Sequence, residues 1–172
     1  VFRDTGWYHI VVSVDTTQAS GQVKLYVNGE EVTSFGTSTD TTQNANLIIN
    51  DATYKNYIGR GRGNVSIDLD CLLSNVYLID GQRLDASYFG FTDPLTNTWK
   101  PKKYTGTFGT NGFWLPMDGN SPIGEDKSGN GNDWTPVNFG GSVALDNPQV
   151  SGARPILNTT SGGTQAGVGV FG

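Results

Sequence analysis

Ser66, Asp68 and Asp70 occupy alternate positions of Ser66-Ile67-Asp68-Leu69-Asp70, so on a strand all three side chains point to one face. Two carboxyl groups on one face are what glycoside hydrolysis uses, and a retaining enzyme holds them about 5 to 5.5 Å apart. A pair of solvated aspartates at a loop edge is the plainer reading, and no catalytic residue is expected. A second set is rich in oxygen: Asp118, Asp126, Asn130 and Asp133, with Asn120, Glu125 and Asn132 around them. Calcium takes six to eight oxygen ligands, which makes those four its candidate ligands. The spacing is not that of an EF-hand, and Asx turns with glycine account for the same residues without metal. No cofactor is therefore expected, with calcium as the alternative. Trp99, Lys100, Lys102, Lys103 and Tyr104 form a basic-aromatic cluster that Pro101 keeps extended. They are candidate contacts for an acidic sugar, or for a neighbouring subunit through cation-π interactions. The alternative is a loop packed against the body by its aromatics.

Three further groups read more blandly. His9 is the chain's one histidine, so a His-His metal site is excluded and a hydrogen-bonded strand residue is expected. Cys71 is the one cysteine, which excludes an intrachain disulfide, and its apolar neighbours suggest a buried small hydrophobe. Gly59-Arg60-Gly61-Arg62-Gly63 is a tight turn whose two arginines read as solvated.

The elements that must position these residues are strands. Trp7 to Asp15 is a β-branched and aromatic run, and Val23 to Val27 alternates apolar with polar before Asn28-Gly29. Both central residues of a two-residue hairpin loop need positive φ, so Asn-Gly predicts that Val23 to Val27 folds back onto Glu30 to Val32. Val23, Leu25 and Val27 then share one face, which needs a second layer to cover it. Thr33 to Asn44 reads as an exposed polar loop. Asn46 to Ile49 and Tyr54 to Ile58 read as short strands. Cys71 to Ile79 reads as a central strand ending in a hairpin-type turn at Asp80-Gly81. Asp85 can cap one helical turn before Gly90. Phe91 to Phe108 shows no clear strand, and Gly112 to Met117 is again one.

Composition agrees with an all-β chain. There are 24 glycines among 172 residues, charged residues make up 16%, and no window keeps a 3.6-residue apolar period. The net charge of −5 argues against a phosphate-backbone partner, so no nucleic acid is expected. No apolar run has the length of a membrane span, no signal peptide is visible and no membrane partner is expected. Val1 in place of an initiator methionine suggests a fragment or a processed product. Gly140 to Gly172 is rich in glycine, serine and threonine, too poor in apolar residues for a core, and reads as an arm or linker. Asn64-Val65-Ser66 and Asn158-Thr159-Thr160 fit the N-glycosylation pattern, which carries no weight for a protein made in a bacterium.

The aromatic-Tyr-His strand at Trp7-Tyr8-His9, followed by Leu25-Tyr26-Val27-Asn28-Gly29, resembles the middle of a laminin-G-like, concanavalin-A-like jelly roll. The likeness continues in Tyr57-Ile58-Gly59-Arg60 and in Leu72 to Gly81. More narrowly, Ile79-Asp80-Gly81-Gln82-Arg83-Leu84, Trp99 to Tyr104 and Gly109-Thr110-Asn111-Gly112-Phe113 resemble a variant found in structural proteins of tailed, especially marine, bacteriophages. Laminarinase-type glycosidases of this fold carry acidic residues at three alternate strand positions with Glu at both ends, where this chain has Ser66 and Asp70. Cys71 stands where the family usually has glycine. Asp126 to Trp134 resembles the segment that normally opens such a domain, yet here it follows the closing strand.

The resemblance implies an all-β antiparallel β-sandwich, a jelly roll of laminin-G/concanavalin-A type, with an irregular Gly-rich C-terminal arm. Residues 1–139 would form the sandwich, with 1–90 its closing half, 91–111 a loop and 112–139 strands completing it by circular permutation or opening a second domain. Residues 140–172 would be the arm. The implied function is that of a non-enzymatic structural protein on the exterior of a virus particle, as capsid decoration or fibre component. That places it on the virion surface, extracellular, partnered by copies of itself, by other virion proteins and by host surface polysaccharide. The alternative is a carbohydrate-binding module or lectin unrelated to a virion, with Trp7, Trp99, Trp114 and Trp134 as stacking platforms, and a glycoside hydrolase ranks third. If 113–139 packs back on the first half, Trp114 and Trp134 are expected to be buried against the sheet, with Phe113 and Leu115 pointing away.

Overall fold

The computed structural model describes residues 6–49, 51, 53–61, 71–118 and 122–137, together with the backbone of 148–149 and 152–153. Its strands are β1 (Ile10–Val14), β2 (Val23–Val27), β3 (Glu30–Glu31), β4 (Val76–Leu78), β5 (Gly90–Thr92), β6 (Trp99–Pro101), β7 (Phe113–Leu115), β8 (Pro148–Gln149) and β9 (Gly152–Ala153). Every pairing is antiparallel: β1-β2-β3 in one sheet, then β4-β7, β5-β6 and β8-β9. Among the described residues there is no α-helix, only one 3-10 turn over Ala86–Tyr88.

The Asn28-Gly29 turn forms as the sequence requires, with φ of 49° and 87°, and sets Val27 opposite Glu30. The β1-β2 register places Ile10, Val12 and Val14 opposite Val27, Leu25 and Val23, so six aliphatic side chains share one face. β1 is shorter than the run from Trp7, because the Asn28 side chain takes over at its end: Asn28 Oδ1 accepts from His9 N at 2.9 Å. The loop after β3 is exposed from Thr33 to Asn44, yet it is pinned back at Asp40, which accepts from Gly21 N and Gln22 N. Gln22 is fully buried there and exchanges hydrogen bonds with Thr41 and Gln18, so its buried amide is satisfied.

The core lies elsewhere, between β4, β7, the 3-10 turn at Ala86–Tyr88 and the loop after β6. Ala86, Phe89, Tyr104, Phe113 and Leu115 are its buried apolar residues. Tyr77 lies 5.8 Å from Trp114, 5.7 Å from Phe89 and 6.3 Å from Phe108, and Tyr104 meets Phe108 edge-on at 5.2 Å. Such ring contacts add to the area they bury.

Several expectations give way to the structure. Neither Asn46 to Ile49 nor Tyr54 to Ile58 is a strand, because Asp51 turns the chain: Asp51 N donates to the Ile48 carbonyl, Asp51 Oδ1 accepts from Thr53 N and the Asp51 carbonyl accepts from Tyr54 N. The long strand expected from Cys71 shrinks to Val76–Leu78: Asn75 N still donates to the Pro116 carbonyl, but at φ 51° it turns the chain out of the strand, and Cys71 is exposed rather than buried. Gly81, at φ 77°, makes the expected turn, but it leads into the Asp85-capped 3-10 turn and not into a hairpin partner. Between Phe91 and Phe108 there is a hairpin, β5-β6, which tolerates Pro101 because proline is acceptable on an edge strand. Phe113 and Leu115 are the buried residues of β7, while Trp114 is half-buried on the opposite face. Both faces of β4-β7 are apolar, so strand alternation alone leaves the choice of inner face open. Trp134 is half-buried with its ring 5.0 Å from Phe113. In the arm, β8 and β9 form a short backbone ladder.

Candidate functional site

The turn that replaces the expected strands at 46–58 shapes a groove. Between the Asp51 turn and Gly59, at φ 80°, the segment 53–58 runs without a ladder and holds Tyr54 and Tyr57 against Ile48 and Ile49. An open groove of about 210 Å3 results, lined also by Lys55, Asn56 and Arg60. Tyr54 is 41% and Tyr57 49% exposed. The volume is below the range of drug-sized pockets and suits one sugar ring, with a tyrosine face to stack on and amide and ammonium donors beside it. The arginine turn and the tyrosines next to it were the sequence signal for this groove, and it was obscured by reading 54–58 as a strand.

The basic-aromatic cluster is arranged differently. Trp99 is half-buried and its ring lies over the backbones of Gly29 and Gly90, so close that a Cβ on either would overlap it. Tyr104 is buried and donates to the Thr107 carbonyl at 3.0 Å. Lys100 pairs with Asp93, which also accepts from Leu95 N; the lysine first, then the backbone, hold the Asp93 carboxyl at about 2. Lys103 lies 4.6 Å over the Trp114 ring, whose other partner is Tyr77, and Trp114 Nε1 donates to Asn75 Oδ1. Lys102 is exposed at the edge, its backbone N–H bound to the Phe89 carbonyl. The two aromatics of the cluster thus pack inward while its lysines spread over different neighbours.

The oxygen-rich loop is a closed hydrogen-bond network. Asp126 is 7% exposed; its Oδ1 accepts from Trp114 N and Ser128 N, and its Oδ2 from Ser128 Oγ and Asn132 N. Burial alone would raise this carboxyl, but the hydrogen bonds from Trp114, Ser128 and Asn132 outweigh it and hold the pKa below the ordinary aspartate value. Asp133 Oδ1 accepts from Asp126 N. Asn130 and Asn132 turn their amide N–H groups, not their oxygens, to the carbonyls of Gly109, Gly112 and Thr110. The structure therefore brings Asp126, Asn130 and Asp133 into one loop, while Asp118 is exposed. Both oxygens of Asp126 thus face N–H and O–H donors. Among the described residues no group of three or more His, Cys, Asp or Glu stands ready for a metal.

His9 is half-buried, 5.7 Å from Trp99; burial lowers its pKa, and a hydrogen bond with the Phe89 backbone opposes the shift. Among the described residues its Nδ1 is buried without a hydrogen-bond partner. Burial pushes Tyr77 up to about 12, with the Tyr104 backbone near its hydroxyl but without a well-directed hydrogen bond. Ser66, Asp68, Asp70, Arg62 and Asn120 lie outside the described residues, as do both glycosylation patterns.

A laminin-G family model, described as the concanavalin A-like lectin/glucanases superfamily, matches residues 1–86. The chain belongs to this superfamily. No curated protein and no solved structure matches it. Its all-β, antiparallel architecture is that of the concanavalin A-like class, and the groove at 48–60 lies within the matched residues. The superfamily takes in both lectins and glucanases, so membership alone does not choose between binding and hydrolysis.

Proposed function

We propose that the chain is a non-enzymatic adhesion and assembly module that takes one sugar unit of a surface polysaccharide in the Tyr54-Tyr57 groove. The observation that carries this is the pair of half-exposed tyrosines, with Lys55 beside them, in a groove of one sugar's size on a concanavalin A-like chain. Stacking on a tyrosine face orients the ring, and the ammonium selects hydroxyl-rich or acidic sugars. Hydrolysis is not proposed, because Ser66 replaces the first acid of the glycosidase pattern.

The setting we propose is the exterior of a virus particle, as capsid decoration or fibre, with copies of the chain and other virion proteins as partners. Support comes from the resemblance of three blocks to tailed-phage structural proteins; two of these blocks meet in the fold, where Asp80 Oδ2 accepts from Asn111 Nδ2 at 3.0 Å. A carbohydrate-binding module outside any virion remains the second reading, favoured by the superfamily match alone. A glycan array of cell-surface polysaccharides tests the binding: specific signals lost in Tyr57→Ala are expected, and a silent array would contradict it. Mass spectrometry of purified particles tests the setting, and absence from them would leave the module reading.

A further inference from the structure

The β1-β2-β3 sheet has one edge that nothing among the described residues covers. In the β1-β2 ladder His9 O accepts from Asn28 N and Asp15 N donates to Gln22 O, which makes His9, Val11, Ser13 and Asp15 the hydrogen-bonded positions. The N–H and C=O groups of Ile10, Val12 and Val14 therefore point away from β2, and no described residue bonds to them. Edge strands are usually guarded by lysine, proline or a bulge, but β1 reads Ile-Val-Val-Ser-Val, uncharged and regular. On this edge strand Val12 is 60% and Ile10 50% exposed and Val14 is half-buried; on β2 Val23 is 52% exposed, with Leu25 and Val27 half-buried.

We infer that β1 pairs antiparallel with β1 of a second copy of this chain, in a two-fold register centred on Val12. This deepens the self-assembly part of the proposed function and rests on it, while it is independent of glycan binding. The argument for a second copy is self-complementarity. With Val12 opposite its own copy, Ile10 faces the partner's Val14 and the partner's Ile10 faces Val14, so every outward N–H and C=O of the three residues finds a partner. The side-chain match is aliphatic throughout. The charge arrangement agrees: the nearest charge on the strand, Asp15, stands opposite the other copy's His9. The two Asp15 groups are six residues apart along the joint, about 20 Å at roughly 3.3 Å per residue and beyond a Debye length of about 8 Å. Two acidic copies therefore meet without repulsion at this edge.

The register is open to a direct test in the full-length chain with Cys71→Ser, which removes the other thiol. Hydrogen-bonded antiparallel partners sit about 5.5 Å apart between Cα atoms, within disulfide range. Val12→Cys is expected to form a reducible dimer under mild oxidation. Val14→Cys alone is expected not to, but to cross-link when mixed with Ile10→Cys. Val12→Pro removes only an outward N–H, so the β1-β2 ladder survives while association in sedimentation velocity weakens at least tenfold. In case Val12→Pro disturbs the fold, hydrogen exchange of the unmodified chain provides a second readout: the Ile10, Val12 and Val14 amides gain protection as protein concentration rises. A chain that stays monomeric, with those amides unprotected at every concentration, overturns the pairing and the self-assembly reading together. A dimer in which Val12→Cys fails to cross-link, or cross-links no better than Val14→Cys alone, overturns the pairing and leaves assembly through another surface.

Discussion

The β1-β2-β3 sheet and the β4-β7 pair are built on opposite plans. The first has the longer strands, the tighter turn and a face of six aliphatic residues, yet that face stays half-exposed. The second is only three residues long, but Phe113 and Leu115 are buried and Tyr77 is surrounded by rings. Length of ladder and depth of core are thus separate quantities, and stability is expected to follow the second. Hydrophobic burial is proportional to area removed from water, which hydrogen bonding along an exposed hairpin does not supply.

The largest effect is expected at Leu115, 1% exposed: Leu115→Ala should cost about 2 to 5 kcal/mol in denaturant unfolding. Asp126→Ala comes next, at about 3 kcal/mol, because it strips the acceptor from Trp114 N, Ser128 and Asn132 in a buried loop. The same group gives a pH dependence. Its folded pKa lies below the unfolded value, so its contribution is full above the ordinary aspartate pKa and is lost as pH falls through the folded one. Asp126→Asn should flatten that acid limb of the stability profile. Trp114→Ala should cost less, about 2 kcal/mol, since it loses a ring stack and one hydrogen bond from a half-exposed site.

His9 should sharpen the contrast from the other side, because it joins the Asn28 turn to Trp99. Burial depresses its folded pKa below the unfolded value, so the neutral ring is the one the fold accepts. Stability should be full above the unfolded pKa, near 6.5, and fall as pH drops from there to the folded pKa; His9→Gln should remove that limb. The smallest effect is expected at Val12→Ala, within about 0.5 kcal/mol for the isolated monomer, since the residue is largely exposed. A loss at Val12 as large as that at Leu115 would mean that the β1-β2-β3 sheet carries as much of the stability as the core does.

What could be read from the sequence follows the same division. Asn28-Gly29 and Asp85 were legible because positive φ and N-capping are local requirements that few residues meet. The β5-β6 hairpin was not, since Pro94, Asn97 and Pro101 look like loop residues until Asp93 is seen to cap Leu95 N and pair with Lys100. The orientation of β7 was missed because Trp114 and Phe113 are equally apolar, and only the ring cluster and the Asp126 loop choose between their faces. The tyrosine groove was hidden because Ile48, Ile49, Tyr54 and Tyr57 have strand propensity, while Asp51 breaks the strand by bonding its own neighbours. The oxygen-rich loop was legible as a loop but not in its role, since ligand-like residues and Asx turns look alike until the donors facing Asp126 are placed.

Glycan docking on Tyr54 and Tyr57, as proposed, is open to calorimetric titration of the full-length chain with a polysaccharide positive on the array, repeated with Tyr57→Ala and with Trp114→Ala. At least a tenfold loss of affinity is expected for Tyr57→Ala at unchanged melting temperature, with little change for Trp114→Ala below its own unfolding. Unchanged affinity in Tyr57→Ala, or a loss confined to Trp114→Ala, would rule the docking out.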